Sequence, residues 1–362
     1  MSTPRIRVLV VDDSAIARKV ITESLRPFPD IEVVGTAIDP YNARDRILEL
    51  RPDVITLDIE MPKMNGLTFL RLIMQHRPMP VIIMSSLTSA GSLKAMEALE
   101  AGAVDVMDKP RGAYSAYDDG SRLAAKIRSA ACARLRRSPL ATPMVPSIAR
   151  LSDNPKSAVA SPRPHAPRRV ILIGASTGGP EALNRVISTL PSDAPGVCVA
   201  QHIPAYFSKA MSERLNKSSA MEVREAAPGD VVRQGLALVA PGGYHMILRW
   251  AAGRYTVDIT EGPPVHHQRP AVDVLFDSVT KAGGASQAIA AILTGMGADG
   301  AAGMKRLRDG GARTVAQDEE SCVVFGMPRE AIRLGGVEQV LPLDQIGPAL
   351  DQLAGLPASN AA

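Results

Sequence analysis

Val170-Ile-Leu-Ile-Gly-Ala-Ser-Thr-Gly-Gly-Pro180 starts as an apolar run long enough for a buried strand and breaks at Gly174. Pro180 follows the glycines, and Glu181-Ala-Leu-Asn-Arg-Val-Ile187 reads as a helix. Proline suits a first helical position, where its missing N–H costs nothing. Ser176 is therefore expected on a tight strand-to-helix turn, beside free backbone N–H groups and a helix N-terminus. Such a turn binds an anion through its amides or presents a serine nucleophile next to an oxyanion hole. Gly174 to Gly178 fit the pattern G-x-S-x-G, which on its own also describes a glycine-rich turn that merely joins strand to helix.

A serine nucleophile needs a base, and the base needs an orienting group. Of the six histidines, His202 closes the apolar run Val197-Cys-Val-Ala-Gln201 and so is expected at the carboxyl end of the next strand. Ala288-Ile-Ala-Ala-Ile-Leu293 is a third apolar strand, and Thr294-Gly-Met-Gly-Ala-Asp-Gly300 follows it with Asp299 as the acid of the turn. Ligands and chemistry in open α/β sheets gather at the carboxyl ends of strands, and Ser176, His202 and Asp299 each fall at such an end. Taken singly, His202 reads equally as a structural strand-end histidine and Asp299 as a helix cap. The order Ser…His…Asp differs from the Ser…Asp…His of α/β-hydrolases. Backbone amides near Thr177 and Met296 are the candidates to face a developing oxyanion.

The stretches G-A-S-T-G-G-P-E-A-L, V-A-Q-H-I-P-A and L-T-G-M-G-A-D-G-A-A-G-M resemble the bacterial chemotaxis protein-glutamate methylesterases. The resemblance covers nearly the whole chain. It implies Ser176 as nucleophile, His202 as general base and Asp299 as its orienting partner. The implied reaction is hydrolysis of γ-glutamyl methyl esters on methyl-accepting chemotaxis receptors, with deamidation of receptor glutamines. Arg269-Pro-Ala-Val-Asp-Val-Leu-Phe276 is similar to a family stretch that usually begins His-Arg-Pro-Ser; Gln268 and Ala271 stand in two of those places here.

The N-terminal half alternates strands and helices, which indicates a doubly wound parallel sheet. Strands are expected over 7–11, 31–34, 54–57, 81–84 and 104–107, with helices over 14–25, 41–50, 67–75, 93–100 and 121–136. Asp12, Asp13 and Asp58 then converge at one edge. Three carboxylates together repel, so the cluster invites a divalent cation, and oxygen ligands suit Mg²⁺. Lys109 adds a fixed positive charge at the neighbouring strand end. A cation and an ammonium around one aspartate suit phosphoryl transfer onto that carboxylate; helix caps and a surface ion pair are the bland reading. This half resembles a response-regulator receiver domain. The resemblance makes Asp58 the phosphoacceptor, Asp12 and Asp13 acidic Mg²⁺ ligands, the Glu60 carbonyl a further ligand, and Ser85 and Lys109 the supports of the phosphoryl group. It also implies a chemotaxis histidine kinase as phosphodonor. Val106 holds the place where many receivers carry an aromatic switch residue.

The expected architecture is thus α/β with two doubly wound parallel-sheet domains: a flavodoxin-like receiver over 1–137 and a Rossmann-like methylesterase domain over 168–356. The linker, 138–167, is rich in Pro, Ser and Ala. The tail 357–362 is expected to fray. Of the other histidines, His165 falls in the linker, His245 is expected at a surface or turn, and His266 and His267 on an exposed proline-rich loop.

The net charge of +4 is spread out, and the basic run Arg134-Leu-Arg-Arg137 has no interleaved aromatics, so no nucleic-acid surface is expected. Cys132, Cys198 and Cys322 are too far apart for a zinc motif or a disulfide framework. No signal peptide is visible and no apolar run approaches the roughly 20 residues of a spanning helix, so a cytoplasmic protein is expected, with no cofactor in the esterase site. A receiver controlling a nucleotide- or phosphate-binding module is the competing reading. Against it, no lysine follows the Ser176 turn as in a P-loop, and no acidic residue closes a following strand to hold a ribose. A DNA-binding output lacks a helix-turn-helix signal.

Overall fold

The computed structural model describes residues 4–85, 88–109, 116–135 and 169–356. The expected linker over 138–167, with His165, and the tail over 357–362 lie outside the described residues.

The first sheet is parallel throughout, in the order β2-β1-β3-β4-β5. Its strands are β1 (Ile6–Val11), β2 (Ile31–Ala37), β3 (Val54–Asp58), β4 (Val81–Ser85) and β5 (Asp105–Asp108). The crossovers are α1 (Ala15–Leu25), α2 (Pro40–Leu50), α3 (Gly66–His76) and α4 (Ser89–Glu100), and α5 (Ala116–Ala131) closes the domain. Continuous apolar strands such as Val8-Leu-Val-Val11 suit a sheet covered on both faces, and all four of these residues are buried. Polar side chains start the helices. Ser14 Oγ accepts from the Ala17 amide at 3.3 Å, and Asp39 Oδ1 accepts from the Asn42 amide at 2.9 Å.

The second sheet is parallel as well, in the order β14-β13-β12-β6-β7-β9-β8. Its strands are β6 (Val170–Ala175), β7 (Gly196–Gln201), β8 (Glu222–Glu225), β9 (Leu236–Val239), β12 (Ala288–Ile292), β13 (Arg313–Gln317) and β14 (Gln339–Leu341). An antiparallel hairpin, β10 (His245–Ala251) and β11 (Arg254–Thr260), stands apart from it. The helices are α6 (Gly179–Ile187), α7 (Phe207–Ser218), α8 (Val272–Lys281), α9 (Ala301–Asp309), α10 (Met327–Arg333) and α11 (Leu343–Gly355). From β6 the chain builds one side of the sheet through β7, β9 and β8, then returns to place β12, β13 and β14 on the other. That reversal makes β6 and β12 the switch point, where open α/β sheets form their crevice.

Several elements depart from expectation: β2 runs on to Ala37, α4 starts at Ser89 and α5 starts at Ala116. Helix α5 ends at Ala131, five residues early, because the Arg134 amide donates to the Val323 carbonyl at 2.9 Å and draws the chain towards the second sheet. Helix α6 starts at Gly179, so Pro180 is not its first residue. Helix α10 and strand β14 were not foreseen. Pro328 breaks the reading of the first, and the second is only three residues long.

The two sheets meet through side chains. Arg214 of α7 pairs with Glu100 of α4 at 2.5 Å, and Arg134 pairs with Glu319 at 2.6 Å. Helix α4 packs against α7 and α6. None of the described helices is long and apolar enough to cross a membrane.

Candidate active site and phosphoryl site

Strand β6 delivers Ser176, β7 delivers His202 and β12 leads into Asp299, all at the carboxyl edge of the second sheet. His202 Nδ1 lies 3.1 Å from Ser176 Oγ, and its Nε2 lies 2.7 Å from Asp299 Oδ2. With Asp299 ionised, Nε2 carries the hydrogen and Nδ1 turns its lone pair towards the serine hydroxyl. His202 and Asp299 are buried, and Ser176 is half-buried.

Asp299 is held from three directions. Its Oδ2 also accepts from the Val272 amide at 2.7 Å, and its Oδ1 accepts from the Asp273 amide at 2.9 Å. Burial opposes the charge, but the His202 bond and these two amides outweigh it, and the carboxyl sits below the usual carboxylate range. The two amides open α8, whose own N-cap, Ala271, has no side chain to offer. Asp299 therefore does cap a helix, but α8 rather than the helix that follows it; Gly300 fills that place in α9.

The Ser176 turn offers fewer amides than expected. The Ser176 N–H donates to the Thr294 carbonyl at 3.0 Å, and the Gly179 N–H to the Ser176 carbonyl at 2.7 Å. Thr177 is buried and Met296 is partly exposed. The Thr177 hydroxyl crosses to the first domain and donates to Asp105 Oδ2 at 2.8 Å. Asp105 is itself held by Lys126 at 2.6 Å.

Several residues around the triad escaped the sequence reading. Gln201 and Gln317 end β7 and β13 and are buried. Gln317 Oε1 accepts from the Thr294 amide at 2.8 Å, and Thr294 Oγ1 donates to the Thr177 carbonyl at 3.0 Å. Gln201 Nε2 donates to the Ser176 carbonyl at 2.9 Å and to the His202 carbonyl at 3.1 Å. The only sequence signal is a glutamine at the end of an apolar run, which reads as a strand boundary. Asp273 is buried behind Asp299; burial pushes its carboxyl up, against the Gly303 amide that holds it at 2.6 Å.

His245 contradicts the surface expectation. It is buried, accepts at Nδ1 from the Ala271 amide at 3.2 Å and donates from Nε2 to the Pro263 carbonyl at 3.0 Å. It holds the loop before α8 in place. His266 and His267 are exposed, as expected, and His266 Nε2 reaches Asp273 at 3.1 Å. All three cysteines are free. Burial raises the Cys198 and Cys322 thiols, so neither competes with Ser176 as a nucleophile.

In the first domain, Asp12, Asp13 and Asp58 bring carboxylate oxygens within 4.8 Å of one another. Lys109 Nζ lies 2.7 Å from Asp58 Oδ2 and 3.0 Å from Asp12 Oδ2. These are charge contacts; neither oxygen has a partner in good hydrogen-bond geometry. Burial pushes the Asp58 carboxyl above its usual value despite Lys109, and Asp12 adds to the push. Burial opposes the Lys109 charge, yet Asp58 and Asp12 hold its ammonium above the ordinary range. The Glu60 carboxylate turns away to Lys94 at 2.9 Å, and the Glu60 amide donates to Asp58 Oδ1 at 3.1 Å. The Ser85 hydroxyl donates to the Gly91 carbonyl at 3.1 Å, and Val106 is buried at the expected switch position. Close-set hard oxygen donors, two of them held only by a neighbouring ammonium, fit a divalent cation such as Mg²⁺.

Fold and geometry together define a class: a response regulator whose output domain carries a serine–histidine–aspartate constellation. A family model described as CheB methylesterase matches residues 171–350, and one described as response regulator receiver domain matches 8–115. The protein-glutamate methylesterase/protein-glutamine glutaminase 2 of Syntrophus aciditrophicus is 54% identical over 342 residues, 94% of this chain and 97% of that protein. The protein-glutamate methylesterase/protein-glutamine glutaminase 4 of Anaeromyxobacter dehalogenans is 52% identical over 353 residues, 97% of this chain and 96% of that protein. The crystal structure of the Thermotoga maritima CheB methylesterase catalytic domain is 38% identical, with a TM-score of 0.50, and covers 51% of this chain and 98% of that one. The chain belongs to the CheB family of protein-glutamate methylesterases/protein-glutamine glutaminases that carry a receiver domain.

Proposed function

We propose that this chain is a phosphorylation-activated protein-glutamate methylesterase and protein-glutamine deamidase that acts in the cytoplasm on methyl-accepting chemotaxis receptors. The observation that carries the reading is the line from Ser176 Oγ through His202 Nδ1 and Nε2 to Asp299 Oδ2, at 3.1 and 2.7 Å. Ser176 Oγ attacks the ester carbonyl while its proton passes to His202 Nδ1. The oxyanion faces the amides near Thr177 and Met296. Its collapse expels methanol, which takes the proton from His202. Water, deprotonated by the same nitrogen, then attacks the acyl-serine, and the collapse releases glutamate while His202 returns the proton to Ser176 Oγ. A glutamine substrate follows the same path with ammonia as the leaving group. Asp299 stabilises the imidazolium and fixes the tautomer.

In the receiver, Asp58 is the phosphoacceptor and a chemotaxis histidine kinase the donor. Asp12, Asp13, Asp58 and the Glu60 carbonyl would hold Mg²⁺, which neutralises charge on the incoming phosphoryl group. Ser85 and Lys109 contact that group. The receiver lies against the Ser176 turn through Thr177 and Asp105. Phosphorylation biases the pair of domains towards a separated form that admits the receptor.

The test is Ser176→Ala in the full chain, assayed by methanol release from methylated receptor with a small-molecule phosphodonor and Mg²⁺. Loss of a triad nucleophile costs on the order of 10⁶ in turnover elsewhere, so the rate should fall to background with the melting curve unchanged. A variant that keeps half its activity would sink the proposal.

A further inference from the structure

We infer that Gln201 is a positioning residue for the hydrolysis: one carboxamide ties the nucleophile's turn to the base's turn and so sets the distance between Ser176 and His202. The inference rests on the Ser–His–Asp reading above.

Gln201 is the last residue of β7 and is 2% exposed. Its Nε2 donates to the Ser176 carbonyl at 2.9 Å and to the His202 carbonyl at 3.1 Å. Both hydrogens of the amide are thus spent on the backbones of the two residues that must exchange a proton. A carboxamide is suited to this: it carries two donors on one planar nitrogen and no charge. The opposite orientation of the amide would set its oxygen against two carbonyl oxygens, so the donor assignment follows from the neighbours.

The cradle is built to hold that orientation. Gln201 Oε1 has no hydrogen-bond partner among the described residues. It lies where a Cβ on Gly179 would sit, at 1.9 Å, so a residue larger than glycine at 179 would force the amide out. The Ser176 carbonyl accepts a second bond, from the Gly179 amide at 2.7 Å. On the far side, the His202 amide donates to the Ala175 carbonyl at 3.1 Å. The first of these bonds closes the turn itself, and the second joins β7 to β6. Gln201 Nε2, a single side-chain atom, hydrogen-bonds both the Ser176 and the His202 backbones. A buried acceptor left unpaired is unfavourable; here it accompanies a donor pair aimed at both partners of the proton transfer.

Positioning acts on the chemical step. A misplacement of about 1 Å at a reacting pair costs on the order of 100-fold. Gln201→Met keeps the volume and removes both donors. Gln201→Asn keeps the carboxamide but withdraws it by one methylene, out of reach of the two carbonyls. Each is compared with the wild-type full chain for methanol release from methylated receptor. Rates are expressed per folded molecule, with the folded fraction taken from the melting curve. The expected result for either variant is a kcat about 10- to 100-fold lower with KM within about twofold. The Asn variant decides the matter if the Met variant does not fold. A kcat per folded molecule within twofold of wild type overturns the inference, as does a loss confined to KM. Ser176→Ala is run beside them. If it stays active, the triad reading fails; if it is dead while the Gln201 variants are unimpaired, only the clamp fails.

Discussion

Both domains put aspartates at the carboxyl edge of a parallel sheet, yet the two edges prepare those aspartates in opposite ways. Asp299 is surrounded by donors: two backbone amides and the His202 ring, which hold its carboxyl low against burial. Asp58 is as buried, but among like charges, with one lysine and the single amide of Glu60 as counterweight, and burial pushes its carboxyl up. A carboxylate satisfied by fixed dipoles is a fixture that orients its neighbour. One balanced by a side-chain ammonium and crowded by a second carboxylate is unsettled, and a cation and a phosphoryl group relieve it. The residue type is the same; what each can do is decided by the donors around it.

The contrast is broken most directly at Asp299. Asp299→Asn gives up one acceptor, and loss of the orienting acid in a comparable triad costs about 10⁴ in kcat. The same decrease is expected in methanol release, and a loss under tenfold would count against Asp299 as the orienting acid. The variant also carries a pH signature. A folded-state carboxyl held below its unfolded value of about 3.9 contributes stability that is present above that value and is lost as pH falls through the folded one. The stability gap between wild type and Asp299→Asn, read by denaturant melts, should therefore be full at neutral pH and close at strongly acidic pH. A gap that widened on acidification would contradict the assignment.

The join between the domains comes next. Removing Asp105, which accepts from the Thr177 hydroxyl, deletes a hydrogen bond to a charged group, worth about 1.5–3 kcal/mol. Asp105→Ala should raise the unphosphorylated rate by about tenfold, with a smaller gain from phosphodonor because part of the bias is already gone. No rise in basal rate would show that this contact does not hold the domains together. The Glu100–Arg214 pair is a partly exposed counterpart. Such pairs contribute about 0–1 kcal/mol, so Glu100→Gln should raise basal rate less than about fivefold, and less still at high salt.

The last prediction concerns Asp58. A carboxyl raised in the folded state stabilises while it is protonated, below its unfolded value, and that contribution is lost as pH rises through the folded one. At neutral pH the ionised group is therefore a burden, and Asp58→Asn should raise the receiver's melting temperature by about 2–4 °C without divalent cation. Mg²⁺ should lift the wild type and leave the variant nearly unmoved. A variant that melts lower than wild type would mean that Lys109 outweighs burial.

The strand ends were legible because parallel strands covered on both faces are continuous apolar runs, and a charged or polar residue at the end of one stands out. Ser176, His202, Asp299 and Asp58 were found that way. What joins those ends was not legible. Gln201 and Gln317 look like ordinary strand boundaries, and their partners lie 25 and 23 residues away in sequence. Thr177 and Asp105 are 72 residues apart and in different domains; no periodicity links them. His245 begins a hairpin strand and reads as surface. It is buried because the loops that carry Pro263 and Ala271 fold over it, which only the tertiary arrangement brings about.

The double duty of Asp299 bears on how relatives of this chain can be read. Because its oxygens cap α8, any descendant that lost esterase activity would still be under pressure to keep the aspartate, simply to start that helix. No such second duty is evident for the Ser176 hydroxyl, whose hydrogen bond is to His202. Across a set of relatives the acid should therefore outlast the chemistry, and the serine should be the first of the three to drift. A sequence with the aspartate but without the serine marks a retired enzyme on an intact scaffold, and a surviving aspartate is no proof of turnover.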